Sequence, residues 1–388
     1  MKYYSNLSQR LIGQEMFQVL DKAKKLELEG KEICHLELGD PFTSPNNIII
    51  EEVSQALRNN GWHYTSPGGE LLLKQQIGEH LKDYFLMIAP PDYITIAPAN
   101  YLITNFLSLT CDPADKLLLI TPCFPSYLAS AKMLGIQIIE HPTSPANGYD
   151  LDESILEKIH IHKPKAIIIN SANNPTGAVY SQSVLSKIIQ AAKLINSWVL
   201  SDETYSLLTY NKDFRTLLHE DYDKLIVLSS FSKIFSIPGL RLGYQVSKNK
   251  KFTEKSEKYL STTISCIPPF IQQGCAEFLR KKELVKEVVD AACKNYANET
   301  EKLFNEIPIL SRWMKAPKSA FYLFIPLPHG IDGTEFALNL INQSFVAVTP
   351  GISFGSNYNS YVRIATCGKS EKVHKGIRSF VNALESIK

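Results

Sequence analysis

One lysine, Lys233, lies between small hydroxyl residues in the segment SSFSKIFSIPGLRLGY, Ser229 to Tyr244, after an apolar run and eight positions before Arg241. A lysine that acts as an amine nucleophile must be desolvated or set near positive charge, so that part of it is neutral. A loop of small residues at a sheet edge can do this. Ser230, Ser232 and Arg241 suit a phosphate dianion, Arg241 through paired charge-assisted bonds. A lysine without such neighbours is simply solvated. Asp202, in DETY (Asp202 to Tyr205), closes the apolar run WVLSD and would point its carboxylate beyond a strand's C-terminal end, where α/β folds bind ligands. The plainer reading of such an aspartate is a helix cap or turn residue. Arg363 lies inside the apolar NSYVRIATC, Asn359 to Cys367, where an unpaired charge is costly, so it needs an anionic partner. That partner is either a ligand or a buried carboxylate. NNPTG, Asn173 to Gly177, reads by itself as a turn.

These residues need a scaffold, and the surrounding pattern supplies one. Apolar runs bounded by turn residues alternate with longer amphipathic stretches, as a doubly wound α/β domain requires. The expected strands are Lys116 to Thr121, Gln137 to His141, Lys165 to Asn170, Trp198 to Asp202, Lys224 to Ser229 and Arg241 to Val246. Their richness in Ile, Leu and Val suits strands buried on both faces. Helices are expected at Phe124 to Leu134 and Ser181 to Asn196. The chain ends read as a second, smaller α+β unit: a helix over Gln14 to Glu29, a strand over Ile33 to Leu38, and late helices over Glu283 to Glu306 and Lys369 to Ile387. The expected divisions are 1–45 (N-terminal arm and part of the small domain), 46–285 (large domain) and 286–388 (small C-terminal domain).

Composition narrows the class. In 388 residues, 44% are hydrophobic and 21% charged, which excludes a disordered or fibrous chain. Lysine and arginine total 41 against 39 acids, with no basic block of the kind that binds nucleic acid or membrane surfaces. Seven scattered cysteines form no C-x-x-C pair, so no metal site is expected and reduced thiols in the cytoplasm are. No apolar stretch is long enough to span a bilayer.

In chain order, NNPTG, DETY, the lysine segment and NSYVRIATC resemble the motifs of fold-type I pyridoxal-phosphate-dependent enzymes, the aspartate aminotransferase (class I/II) family. The likeness covers essentially the whole chain. It implies an α/β large domain with a mostly parallel central sheet flanked by helices, plus a smaller α+β domain built from both chain ends. It also implies pyridoxal 5'-phosphate carried on Lys233 as a Schiff base. By the same resemblance, Asp202 faces the ring nitrogen, and the protonated ring it maintains is a far better electron sink than neutral pyridine. Tyr205 and Asn174 reach the ring oxygen, Phe124 in PCFPSY stacks on the ring, and Ser230 and Arg241 bind the phosphate. Arg363 grips the substrate α-carboxylate, with PGISFG (Pro350 to Gly355) as the loop before it, and Gly39 in LELGDPFTSP lies beside the substrate. Tyr64 in HYTSPGG reaches a neighbouring subunit's phosphate, implying a homodimer with shared active sites.

Two segments depart from the family pattern. Where small residues should open a phosphate-binding helix, the chain reads Ala97, Pro98, Ala99, Asn100. Proline lacks an N–H, which leaves the amides of Ala99 and Asn100 as donors. Lys318, Ser319 and Ala320 stand where relatives often carry glycines, on the expected substrate side. The reaction turns on which bond to Cα stands perpendicular to the ring. If Arg363 holds the carboxylate in the plane, an amino acid and a 2-oxo acid exchange their amino group. If the carboxylate stands upright, carbon dioxide is lost. The expected activity is that of an aminotransferase, with decarboxylation of a phosphoamino acid, of the O-phospho-L-serine or threonine-phosphate type, as the alternative. The intact set of site residues argues against a non-catalytic binding module.

Overall fold

The computed structural model describes residues 3–13, 16–211 and 214–387. Seven strands form the main sheet: β1 (Ile94–Ile96), β2 (Lys116–Thr121), β3 (Gln137–Pro142), β4 (Ala166–Asn170), β5 (Trp198–Asp202), β6 (Leu225–Ser230) and β7 (Gly243–Ser247). Their order across the sheet is β1-β7-β6-β5-β4-β2-β3. The five central and far strands run parallel, whereas β7 is antiparallel to both β6 and β1. Every residue of β4 is buried, as is nearly all of β2 and β5, which matches their continuous apolar runs.

Register is what makes this sheet useful. Asn170 pairs with Asp202, and Asp202 with Leu228, so the C-terminal ends of β4, β5 and β6 lie side by side. Three segments far apart in sequence therefore release their next residues into one crevice. Helices cover the faces, among them α1 (Ala99–Thr110), α2 (Pro125–Leu134) and α3 (Gln182–Leu194), whose Val184, Leu185, Ile188, Ile189 and Ala192 are buried at helical spacing.

A second core gathers residues from both chain ends, including Val19, Leu36, Leu303, Val362 and Phe380. Its three-stranded antiparallel sheet consists of β8 (Tyr322–Pro326), β9 (Thr349–Pro350) and β10 (Tyr361–Ala365), with β10 central. The 25-residue helix α4 (Lys282–Glu306) contributes Val285, Val289 and Tyr296 to the first core and Leu303 to the second. Helix α5 (Ser370–Glu385) lays Val373, Ile377, Phe380, Val381 and Leu384 into the second core.

Three expectations need correction. The strand expected over Ile33 to Leu38 is reduced to Cys34–His35, because the chain then turns so that its carbonyls serve side chains of the site. Arg241 is not in a strand; it sits in the left-handed region (φ 56°) before β7 begins at Gly243. Ile94–Ile96, absent from the expected strands, is an edge strand. The early helix is found over Met16–Leu28; its expected start at Gln14 and Glu15 lies outside the described residues.

Candidate active site

A cavity of about 260 Å³ opens at the C-terminal ends of β4, β5 and β6 and is closed on its far side by Gly39, Tyr322 and Arg363. Lys233 enters it from a four-residue helix, Phe231–Ile234, that follows β6 directly. Buried Phe231 and Ile234 anchor that turn, while Ser230 caps it by accepting from the Ser232 amide at 3.2 Å. Lys233 Nζ donates to the Gly39 carbonyl at 2.6 Å. Burial lowers its pKa, with Arg363 and Arg241 acting in the same direction against the opposing effects of Cys367 and Asp40. A larger fraction of this amine is therefore neutral near pH 7 than of a solvated lysine.

Asp202 is buried at the end of β5 and lines the same cavity. Its Oδ2 accepts from the Tyr127 hydroxyl at 2.5 Å, and its Oδ1 accepts from the Thr204 amide at 3.0 Å and hydroxyl at 2.7 Å. No cation pairs with it among the described residues. Burial pushes its pKa up, while the three hydrogen bonds pull it down. A buried carboxylate with well-placed donors but no counter-charge is fitted to a protonated ring nitrogen. Asn170 ties the two neighbouring motifs together: its Nδ2 donates to the Asp202 carbonyl at 2.9 Å and its Oδ1 accepts from the Asn174 amide at 2.9 Å. The Tyr205 and Tyr322 hydroxyls lie 2.8 Å apart.

Arg363 is 2% exposed and meets only neutral partners. Its Nη2 donates to the Glu37 carbonyl at 2.5 Å and to Thr349 Oγ1 at 3.2 Å, and its Nη1 donates to Asn174 Oδ1 at 3.2 Å. The rings of Tyr322 and Phe354 flank the guanidinium at 4.7 and 4.9 Å. Its Nε has no hydrogen-bond partner among the described residues. A fully buried cation without a carboxylate suits an anionic ligand, and no structural salt bridge to it occurs among the described residues.

The remaining wall suits a phosphate. Helix α1 starts at Ala99 with Pro98 as its N-cap, and no side chain caps it. The amides of Tyr101 and Leu102 turn back to the Pro98 carbonyl, while Ala99 and Asn100 line the cavity. The missing proline N–H thus falls outside the helix proper, and the helix start still presents donors to an anion. Ser230, Ser232 and Arg241 line the same end. Arg241 is exposed there and donates to the Pro238 carbonyl at 2.8 Å. Phe124 lines the cavity as the N-cap of α2, edge-on to Tyr127.

Lys233, Asp202, Tyr205, Asn174, Ser230, Arg241, Phe124, Ala99, Asn100, Arg363 and Gly39 thus converge on one cavity. Tyr64 does not line it within this chain; it is 89% exposed. Lys318, Ser319 and Ala320 do not line it either. The Lys318 amide and the Ser319 hydroxyl bond the Gly177 carbonyl at 3.1 and 2.9 Å, which draws this segment onto the back of the Asn-Pro turn. Sequence reasoning missed Tyr127, Thr204, Asn170 and Tyr322. Thr204, two residues after Asp202, carries a readable signal, since an Asp side chain accepting from the amide two residues on is an ordinary turn motif.

Comparison with known proteins shows what the chain is similar to. Residues 32–380 match the family model described as aminotransferase class I and II. The chain is 32% identical to (5-formylfuran-3-yl)methyl phosphate transaminase of Methanocaldococcus jannaschii, covering 97% of this chain and all of that protein. It is 28% identical to an aspartate aminotransferase of Musicola paradisiaca, covering 99% and 97% of the two chains. Among solved structures, the aromatic aminotransferase of Pyrococcus horikoshii superposes with a TM-score of 0.85 at 28% identity, over 93% of this chain and 98% of that one. The maleate-bound aspartate aminotransferase of Thermus thermophilus shares the fold, with a TM-score of 0.92 at 24% identity over 99% and 100% of the chains.

Proposed function

The chain belongs to the class I and II aminotransferase family and is an aminotransferase; from that premise we propose how its own residues hold cofactor and substrate. The observation that carries the proposal is the convergence on one cavity of a desolvated amine with a buried carboxylate and a buried guanidinium that have no ion-pair partner among the described residues. Pyridoxal 5'-phosphate is the cofactor we assign to it, and when bound it supplies a covalent anchor for the substrate nitrogen and an electron sink for Cα.

Each residue then has a task. Lys233 is the covalent attachment point and, once released, the base that moves a proton at the substrate Cα, for which its lowered pKa suits it. Asp202, oriented by Tyr127 and Thr204, keeps the ring nitrogen protonated. Tyr205 and Asn174 donate to the ring oxygen, and Phe124 covers the ring face. Ser230, Arg241 and the Ala99 and Asn100 amides hold the phosphate. Arg363 binds the substrate α-carboxylate, with Asn174 and Gly39 on either side of it, and so keeps the Cα–H bond upright for proton transfer. The relatives reported above are transaminases, which favours this reaction over the decarboxylation alternative.

The substrate we assign is an L-amino acid paired with a 2-oxo acid. In the stretch of chain that holds Tyr64, the side chains of Ile50, Trp62 and Leu71 are also exposed. A second copy of the chain covering that stretch would bring Tyr64 toward the partner's phosphate site. The divisions near residues 45 and 285 and a cytoplasmic setting complete the reading, the latter supported by seven cysteines that form no disulfide among the described residues. The test is to incubate the cofactor-loaded protein with single amino acids and follow cofactor absorbance and 2-oxo acid release. Stoichiometric 2-oxo acid without carbon dioxide is expected; carbon dioxide and amine without oxo acid would refute the assignment.

A further inference from the structure

Tyr322 belongs to none of the motifs that define the site, yet it touches three of its residues. Its hydroxyl is 2.8 Å from that of Tyr205, and its ring lies 4.7 Å from the Arg363 guanidinium carbon. A Cβ added to Gly39 would fall 1.9 Å from the same hydroxyl and within 3 Å of two ring carbons. Gly39 is therefore held to glycine by the space Tyr322 occupies, and Gly39 is also the residue whose carbonyl accepts from Lys233. Tyr322 is buried and fixed at the start of β8, packed against Phe321 and Tyr205.

We propose that Tyr322 is a positioning residue that couples the cofactor-oxygen tyrosine to the substrate-carboxylate arginine. The chemistry follows from counting protons. Each tyrosine has one. If Tyr205 commits its proton to the cofactor ring oxygen, the 2.8 Å contact persists as a hydrogen bond only with Tyr322 as donor and Tyr205 as acceptor. A hydroxyl that accepts one bond donates a stronger one, so Tyr322 strengthens the stabilisation of negative charge on the ring oxygen. The same ring stacks on Arg363, holding a guanidinium that lacks a carboxylate in the orientation its ligand needs. A single side chain thereby keeps the two subsites in fixed relation.

The inference rests on the cofactor reading above, and two substitutions separate its parts. Tyr322→Phe deletes the hydroxyl and keeps the ring, whereas Tyr322→Leu deletes both. Wild type and both variants are loaded with pyridoxal phosphate, checked for unchanged circular dichroism, and titrated by visible absorbance against pH; KM and kcat are then measured for an amino donor. A ring oxygen less well hydrogen-bonded holds a nearby proton more tightly. Tyr322→Phe should therefore raise the absorbance midpoint by about half a unit, the scale of one relayed hydrogen bond, with KM little changed. Tyr322→Leu should also raise KM about tenfold, the scale of a desolvated cation–π contact. A midpoint unmoved in Tyr322→Phe, or a KM unmoved in Tyr322→Leu, overturns the proposal alone. A wild type that gains no absorbance with pyridoxal phosphate overturns the cofactor reading and this inference together.

Discussion

The two walls of the cavity are built by different means. On the sheet side, Asn170, Asp202 and Ser230 are each the last residue of a strand, and Asn174, Thr204, Tyr205 and Lys233 follow within a few positions. Adjacent strand ends in register are enough to assemble that wall from short contiguous motifs. On the opposite wall, Arg363 is held by Glu37, Asn174, Tyr322 and the Thr349 to Phe354 segment, which are four separate stretches of chain. Its geometry depends on how the second core packs against the first. A ligand-anchoring wall can thus be local in sequence, while a wall that orients a substrate is assembled from long-range packing.

Substitutions on either wall test this contrast, and the largest effect should come from the sheet side. Lys233→Ala should abolish covalent cofactor attachment and lower kcat on the order of 10⁴-fold, since anchor and base are lost together. Residual turnover near wild type would contradict its role. On the opposite wall, Arg363→Leu should reduce kcat/KM for amino donors about 10²- to 10³-fold while cofactor absorbance persists, because one partner of a desolvated charge pair is removed. Loss of the absorbance as well would mean that the walls are not separable. Gly39→Ala should cost about tenfold in kcat/KM by displacing Tyr322, and the crystal structure of that variant should show the phenol shifted. An unmoved phenol would show that the Cβ is accommodated elsewhere.

The smallest effect concerns the support behind Arg363. His35 lies between Glu37, at 2.7 Å, and Glu27, at 3.0 Å. The hydrogen bond to buried Glu37 is the main reason its pKa is raised to about 9; burial opposes this and Glu27 adds to it. A folded-state pKa above the unfolded value of about 6.5 means that this contribution to stability is complete below that pH. It is lost as pH rises through about 9. Thermal melts of wild type should fall by a degree or two, roughly, between pH 7 and 9.5, and His35→Gln should flatten that dependence. An equally steep fall in the variant would place the titration elsewhere.

The same contrast explains how far the sequence could be read. Strands with all-apolar runs, such as Ala166–Asn170 and Trp198–Asp202, announced themselves, and Asp202 and Lys233 lie at or just past such runs. Tyr127 and Tyr322 did not, because a tyrosine within an apolar helix or strand looks like core until its hydroxyl is given a partner across the fold. Ile33 to Leu38 looked like a longer strand because its apolar residues do pack inward, but the carbonyls of Glu37 and Gly39 are spent on Arg363 and Lys233 instead of on a neighbouring strand. The placement of Lys318 to Ala320 was likewise invisible, being set by hydrogen bonds to Gly177. Tyr64 is a further case: its task, as we read it, lies in another copy of the chain, and an exposed tyrosine carries no signal of that kind.

The central claim is that Lys233 and Asp202 bracket one bound pyridoxal phosphate. The most direct measurement is borohydride reduction of the cofactor-loaded protein, followed by peptide mass mapping, in wild type and Asp202→Asn. A phosphopyridoxyl label is expected on Lys233 in both, with the visible absorbance of the unreduced Asp202→Asn protein altered because the ring nitrogen has lost its carboxylate. A label on any other lysine, or spectra identical in the two proteins, would contradict it.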